Sequence, residues 1–371
     1  AQPMVTVGFD WYQRTTNDMI APGKALPPSV GASTPTTNSG SLRTRGWELT
    51  INWRKQFTND LGLYANFSIG DSKSVVTKWD NDQNIGHPLN TAYAYAGQVW
   101  GDIWGFETDR YFTEADFTGK NADGSWIYAP GVADQTGIQT QTFVYGPGDI
   151  KFKDLDGSGV IDGGKGTVDD HGDLKVIGNC LPRYEYSFHI GGTYKGFDLD
   201  LFFQGVGKRD MWTQSSFVFP EMREADLAIY ANQTSYNIYE PEKGIVNISE
   251  SNAFPCLYPG NEYAGNVTGL AGEGGCHNYY PQTKYLVDMS YLRLKNVTLG
   301  YTLPVELTKK AFVQKLRFYV SCNNLFLLHK GSGDLPIDTE MNAGQGALGY
   351  GTWGRTYPTT KSWSFGLQVT F

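Results

Sequence analysis

Nine consecutive residues, Asp154-Leu155-Asp156-Gly157-Ser158-Gly159-Val160-Ile161-Asp162, concentrate oxygen-donor chemistry in this chain. Asp154, Asp156, Ser158 and Asp162 stand at positions 1, 3, 5 and 9 of an EF-hand-type loop, with glycine at 6 and an aliphatic residue at 8. A hard cation needs clustered oxygens, and every-other-residue spacing wraps them around one point; the backbone carbonyl of Val160 adds another. The carboxylate expected at position 12 is missing, because Lys165 stands there. Asp169, Asp170 or Asp173 could reach back across the glycine-rich insertion. A structural calcium ion that stiffens a loop is the expected use, and a solvated acidic turn is the alternative.

Other chemistry is sparse. No H-E-x-x-H, G-x-S-x-G or G-x-x-x-x-G-K-[ST] pattern is present, and the five histidines are scattered. No pair of carboxylates stands out for glycoside hydrolysis, and no enzymatic role is expected. Trp100, Trp104, Trp212, Phe217, Phe219, Tyr350 and Trp353 fall between the regular segments. They could stack on sugars or side chains, or pack those segments together. Cys256 and Cys276 lie twenty residues apart in one such segment, a spacing that permits a disulfide in an oxidising exterior, while Cys180 and Cys322 read as small buried residues. A net charge of −8 without a Lys/Arg stripe excludes nucleic acid as a partner.

The elements that must hold these residues are strands. Tyr and Trp are abundant and charged residues make up only 18%, so the chain has apolar surface to bury. From Ser362 to Phe371, Trp363, Phe365, Leu367, Val369 and Phe371 share one face, a strict period of two. Comparable alternation predicts eight strands, at 3–13, 42–56, 62–76, 182–195, 197–206, 291–303, 314–325 and 361–371. The sixth changes face near Lys295–Asn296, which predicts a bulge. Short links alternate with long ones, 14–41, 77–181, 207–290 and 326–360, of about 28, 105, 84 and 35 residues. In an up-and-down sheet all four long links fall at one end. Soluble domains seldom carry such loops, whereas outer-membrane barrels pair short periplasmic turns with long extracellular loops. An all-β, antiparallel transmembrane barrel wall is therefore favoured over a soluble sandwich, with those four segments extracellular. No apolar run is long enough for a transmembrane helix.

Several phrases, in order, resemble SusC/RagA-type TonB-dependent outer-membrane transporters. Asn38 to Leu49 is similar to that family's N-x-G-x-x-x-N-x-G-x-E-L stretch, and Gly148 to Asp154, running into the acidic loop, is similar to its GDIKYKDxNGDGxID segment. Asp173 to Asn179 resembles DRTVIGN, which implies Asp173 as the distant metal ligand. Tyr194 to Leu199, Phe203 to Gly207, Ser290 to Tyr301, Asn324 to Phe326 and Tyr357-Pro358 match further stretches, so the resemblance covers residues 1 to 371. The insertion before Asp173, Ser158 in place of Asp or Asn, and Cys180 in place of Pro or Ser depart from the pattern.

The resemblance implies the C-terminal part of a barrel, eight of about 22 strands, importing a glycan or peptide together with a SusD-like surface lipoprotein. It also implies a plug domain, a TonB contact and remaining strands outside this sequence, because lipid does not tolerate an open sheet edge. The chain opens at Ala1 without a leader-like segment, which fits either a removed leader or an internal piece. Two rivals remain at this stage: a self-contained eight-stranded barrel acting in adhesion, and a surface glycosidase on a β scaffold.

Overall fold

The computed structural model describes all residues except 1–3, 25, 33–34, 81–83, 87–92, 140–142, 213–217, 221–229, 258–276 and 341–358. The eight expected strands form one sheet in sequence order. They are β1 (Val5–Pro22), β2 (Thr36–Gln56), β3 (Leu61–Trp79), β4 (Arg183–Tyr194), β5 (Phe197–Lys208), β6 (Tyr291–Thr302), β7 (Lys315–Lys330) and β8 (Ser362–Thr370). Every neighbouring pair is antiparallel. No helix among the described residues is long and apolar enough to cross a membrane.

Register carries the alternation across the whole wall. Ala65, Ile190, Leu201, Val297, Cys322 and Trp363 lie opposite one another on successive strands. One residue further along, the row is Tyr64, Gly191, Asp200, Thr298, Ser321 and Ser364. Side chains on a strand alternate faces, so the first row builds an apolar membrane face and the second a polar lumen. Phe9, Trp11, Trp363 and Phe365 stand exposed on the apolar face, as a lipid solvent requires. The bulge falls at Lys295, which is skipped between Leu294 and Asn296 in both pairings of β6. Asn324 opposite it takes a positive φ of 54°.

Two departures from the sequence reading concern height and loops. β1, β2 and β3 run 18, 21 and 19 residues, about twice what a tilted strand needs to span a bilayer. The first loop therefore shrinks to 23–35 and the wall rises above the membrane. Part of this upper wall packs against the loop after β3, where Ala21, Val76, Trp79 and Ala94 form a small buried cluster. Trp79 lies across Gly40, where a Cβ would come within 2.7 Å of the ring.

The larger surprise is where the core sits. The main cluster of buried side chains belongs to the loops 80–182 and 209–290, joined among the described residues beyond β7 by Ile337. Short antiparallel pairs frame it: Asp102–Phe106 with Leu174–Asn179, Thr108–Tyr111 with Ile150–Phe152, and Asp210–Met211 with Val287–Asp288. Phe106 and Phe152 stack with centroids 4.9 Å apart, and Tyr280 from the second loop meets Phe106 edge-on at 5.7 Å. Asn278 ties the loops together. Its Oδ1 accepts from the Ile150 amide at 2.8 Å and its Nδ2 donates to Asp149 at 2.7 Å. Gly105 lies so close to the Pro281 carbonyl that any Cβ would collide with it. The loops are thus one folded extracellular module on the barrel mouth.

Candidate functional site

The Asp-rich loop hangs from this module by a parallel bridge between Asp134 and Val160, with the Ile161 amide donating to the Asp134 carbonyl at 2.8 Å. Ile161 is fully buried and pins the loop to the core. Carboxylate oxygens of Asp154, Asp156 and Asp173 converge within 4.8 Å of one another. Backbone amides shape the cluster. Asp154 accepts from Gly157 at 2.7 Å and Gly159 at 2.8 Å, and Asp156 accepts from Ser158 at 2.8 Å. Asp173 is completely buried and accepts from Leu155 at 2.6 Å and Asp162 at 3.0 Å. Burial pushes its pKa up, the two amides oppose that shift, and the Asp156 charge adds to it.

The remaining members of the expected ligand set are placed differently. The Asp162 carboxylate caps the Gly164 amide at 2.7 Å and lies outside the convergent trio. The hydroxyl of Ser158 donates to the Val160 carbonyl at 2.9 Å. Asp170 is engaged by Lys165 at 3.0 Å, which leaves Asp173 as the residue that reaches back.

Of the aromatic residues offered as stacking platforms, three, Trp104, Trp212 and Phe219, belong to the core. Trp104 is 8% exposed, between Tyr95 and His171, and Trp212 is 4% exposed against Phe219. With their faces occupied they pack the module rather than present a binding surface. Trp100 is half-buried beside Ala21, Val76, Trp79 and Ala94, where the module meets the upper wall. Tyr350 and Trp353 lie outside the described residues, as does Phe217. The expected Cys256–Cys276 bridge involves Cys276, which is also outside them; Cys256 is buried beside Gly148, whose φ is +91°.

Two charged constellations were not foreseen. At the mouth, Arg293 on β6 meets Asp338 at 2.6 Å and Glu340 at 3.0 Å, and Lys295 at the bulge meets Glu340 at 2.6 Å. The side chains of Arg293 and Asp338 are each 8% exposed, so the segment after β7 is clamped onto β6 by nearly dry ion pairs. In the lumen, Asp200 accepts from the Tyr64 hydroxyl and pairs with His189 at 2.7 Å. Parity alone would place Tyr64, His189 and Asp200 on the polar face. Their contact follows from strand register, which parity does not carry.

No family model matches the chain. It is 25% identical over 379 residues to TonB-dependent receptor P3 of Formosa agariphila, covering 98% of this chain and 32% of that protein. To TonB-dependent receptor SusC of Bacteroides thetaiotaomicron it is 24% identical over 370 residues, 99% of this chain and 30% of that one. The chain spans about a third of the length of the curated relatives it matches. Among solved structures it superposes on the RagAB peptide importer in the closed-closed state with a TM-score of 0.61 at 20% identity, covering 99% of this chain and 34% of that chain. The open-open state gives a TM-score of 0.59. Along nearly its whole length the chain is thus similar in sequence to TonB-dependent receptors, SusC among them, and its eight strands with their long extracellular loops have the fold of part of an outer-membrane β-barrel.

Proposed function

We propose that the chain builds part of the wall and most of the extracellular mouth of an importer that carries a glycan or peptide across the outer membrane. The observation that carries this reading is a wall with one apolar and one polar face, capped by a folded module, in a sequence similar to TonB-dependent receptors over 98% of its length. In this reading a SusD-like lipoprotein meets the mouth, TonB acts through parts outside this sequence, and no chemical step is catalysed. The work is differential binding of cargo in open and closed states. The test is uptake of labelled oligosaccharides and oligopeptides by cells with and without the receptor, each with and without TonB. Uptake of either class that needs both proteins supports the reading; uptake indifferent to both sinks it.

A structural calcium ion fits the acidic loop. Asp154, Asp156 and Asp173 supply convergent carboxylates, with Ser158, Val160 and Asp162 as the further candidate donors. The cation would offset the mutual repulsion of the three charges and fasten the loop to the module. Proteolysis of 154–173 should slow with calcium and quicken with chelator in the intact receptor. Identical cleavage in both conditions would exclude it.

A further inference from the structure

The three short turns of the sheet share a pattern that barrel closure does not need. After β2, the Lys55 ammonium sits 4.9 Å from the centroid of the exposed Phe57 ring. Between β4 and β5, Lys195 sits 5.4 Å from that of Tyr194. The third turn, 303–314, is the elaborate one. It contains a single helical turn at Val305–Thr308, a 3-10 turn at Lys309–Ala311, and then Phe312. Phe312 is 90% exposed and holds a φ of +58°, a backbone conformation that a phenylalanine adopts only at a cost. Leu307 is 59% exposed and Val305 39%. Lys309, Lys310 and Lys315 surround them in sequence.

This turn is ordered rather than loose. The Phe312 amide donates to the Lys309 carbonyl at 3.1 Å and the Val313 amide to the Thr308 carbonyl at 3.2 Å. The Gln314 amide donates to the Thr370 carbonyl at 2.8 Å, which places the turn beside Phe371 at the end of β8. Phe371 is 80% exposed and continues the odd-numbered membrane row of Trp363, Phe365, Leu367 and Val369. The turn therefore abuts the lipid-facing wall at its periplasmic end. Water is a poor solvent for exposed Phe, Leu and Val held rigidly together, whereas the headgroup boundary suits apolar side chains flanked by lysines.

We propose that the 303–314 turn is an interfacial foot for the phospholipid of the periplasmic leaflet. Phe312 and Leu307 enter the headgroup–acyl boundary, and Lys309 and Lys310 engage the phosphates. The flanking Lys55/Phe57 and Lys195/Tyr194 pairs extend the same ring of ammonium and aromatic groups along the wall. The proposal concerns how the barrel sits in its membrane and is independent of the cargo.

The test places the photoreactive p-benzoylphenylalanine at position 312 of the receptor assembled in its own outer membrane, with position 318 as a lipid-facing control. Irradiation should give phospholipid adducts by mass at both positions. Adducts of lipopolysaccharide, adducts of protein, or no adduct at 312 while 318 captures lipid would overturn the proposal. The same probe at Leu307 repeats the test should position 312 not tolerate it. Headgroup contact is read separately with Lys309→Gln and Lys310→Gln combined. The ratio of anionic to zwitterionic phospholipid among the 312 adducts should fall by at least about twofold. An unchanged ratio would refute the phosphate contact.

Discussion

Replacing Phe152 by alanine should open the extracellular module without opening the barrel. Phe152 is 1% exposed, stacked on Phe106 at 4.9 Å and edge-on to Tyr145 at 6.5 Å. Deleting a ring buried this completely costs about 3–5 kcal/mol, because the surrounding rings relax only partly into the cavity. A typical folded unit has about 5–15 kcal/mol in hand. A loss of about 4 kcal/mol leaves the module folded most of the time and raises its open population by roughly three orders of magnitude. Where reclosing is faster than cleavage, protease nicking follows that population. Surface digestion of outer membranes should therefore cut the 80–182 and 209–290 segments some hundreds of times faster in Phe152→Ala. The heat-modifiable migration of the barrel should be unchanged, since none of its strand registers passes through Phe152. Ile127→Ala, at a 42% exposed position, is the control and should stay close to wild type. Nicking within about tenfold of wild type, or loss of the barrel in step with the module, would refute the claim that the loops hold their own core.

Further predictions probe charge and register. Asp116 is 3% exposed and bidentate on Arg110, which together with the Thr113 amide holds its pKa down to about 2 against its burial. A depressed carboxylate stabilises above its unfolded pKa and loses that contribution as pH falls toward the folded one. Asp116→Asn should therefore weaken the module at pH 6, and the gap from wild type should close between about pH 4 and 2; a gap constant with pH in protease resistance would contradict this. Arg293→Ala leaves Asp338 and Glu340 nearly buried without their guanidinium and should cost about 3–5 kcal/mol locally. The readout is faster cleavage between 331 and 361, and unaltered cleavage would argue against a clamp. Gly366→Ala puts a methyl into the Tyr319 ring and should lower the barrel's melting point through about 1–3 kcal/mol of overpacking. Gly8→Ala meets nothing within 4 Å and should leave it alone.

The wall was legible because a two-sided solvent imposes a period of two on every residue that spans it. Trp363 to Phe371 show that period without a break, and even the face change at Lys295 marks a real bulge. The module was not legible, since its contacts obey no period. Phe106 meets Tyr280, and Ile150 meets Asn278, across more than a hundred residues. Sequence also left open whether Trp104 and Trp212 stack on a ligand or pack the segments together; both are buried, against Tyr95 and His171 and against Phe219. Within the acidic loop, spacing pointed to Asp154 and Asp156. Asp162 stands apart from their convergence with Asp173, its carboxylate accepting from the Gly164 amide.

Three of the lumenal tyrosines stand directly opposite glycines: Tyr12 faces Gly46, Tyr64 faces Gly191 and Tyr319 faces Gly366. In each pair a Cβ on the glycine would lie closer than 3.0 Å to the tyrosine, so each phenol reclines along the wall in the space a side chain would otherwise fill. At these places the bore keeps a low relief. The rings lie flat against the wall instead of projecting into the lumen as knobs. Larger residues at Gly46, Gly191 or Gly366 would tip the rings inward, narrowing the conduit from a distance of one strand.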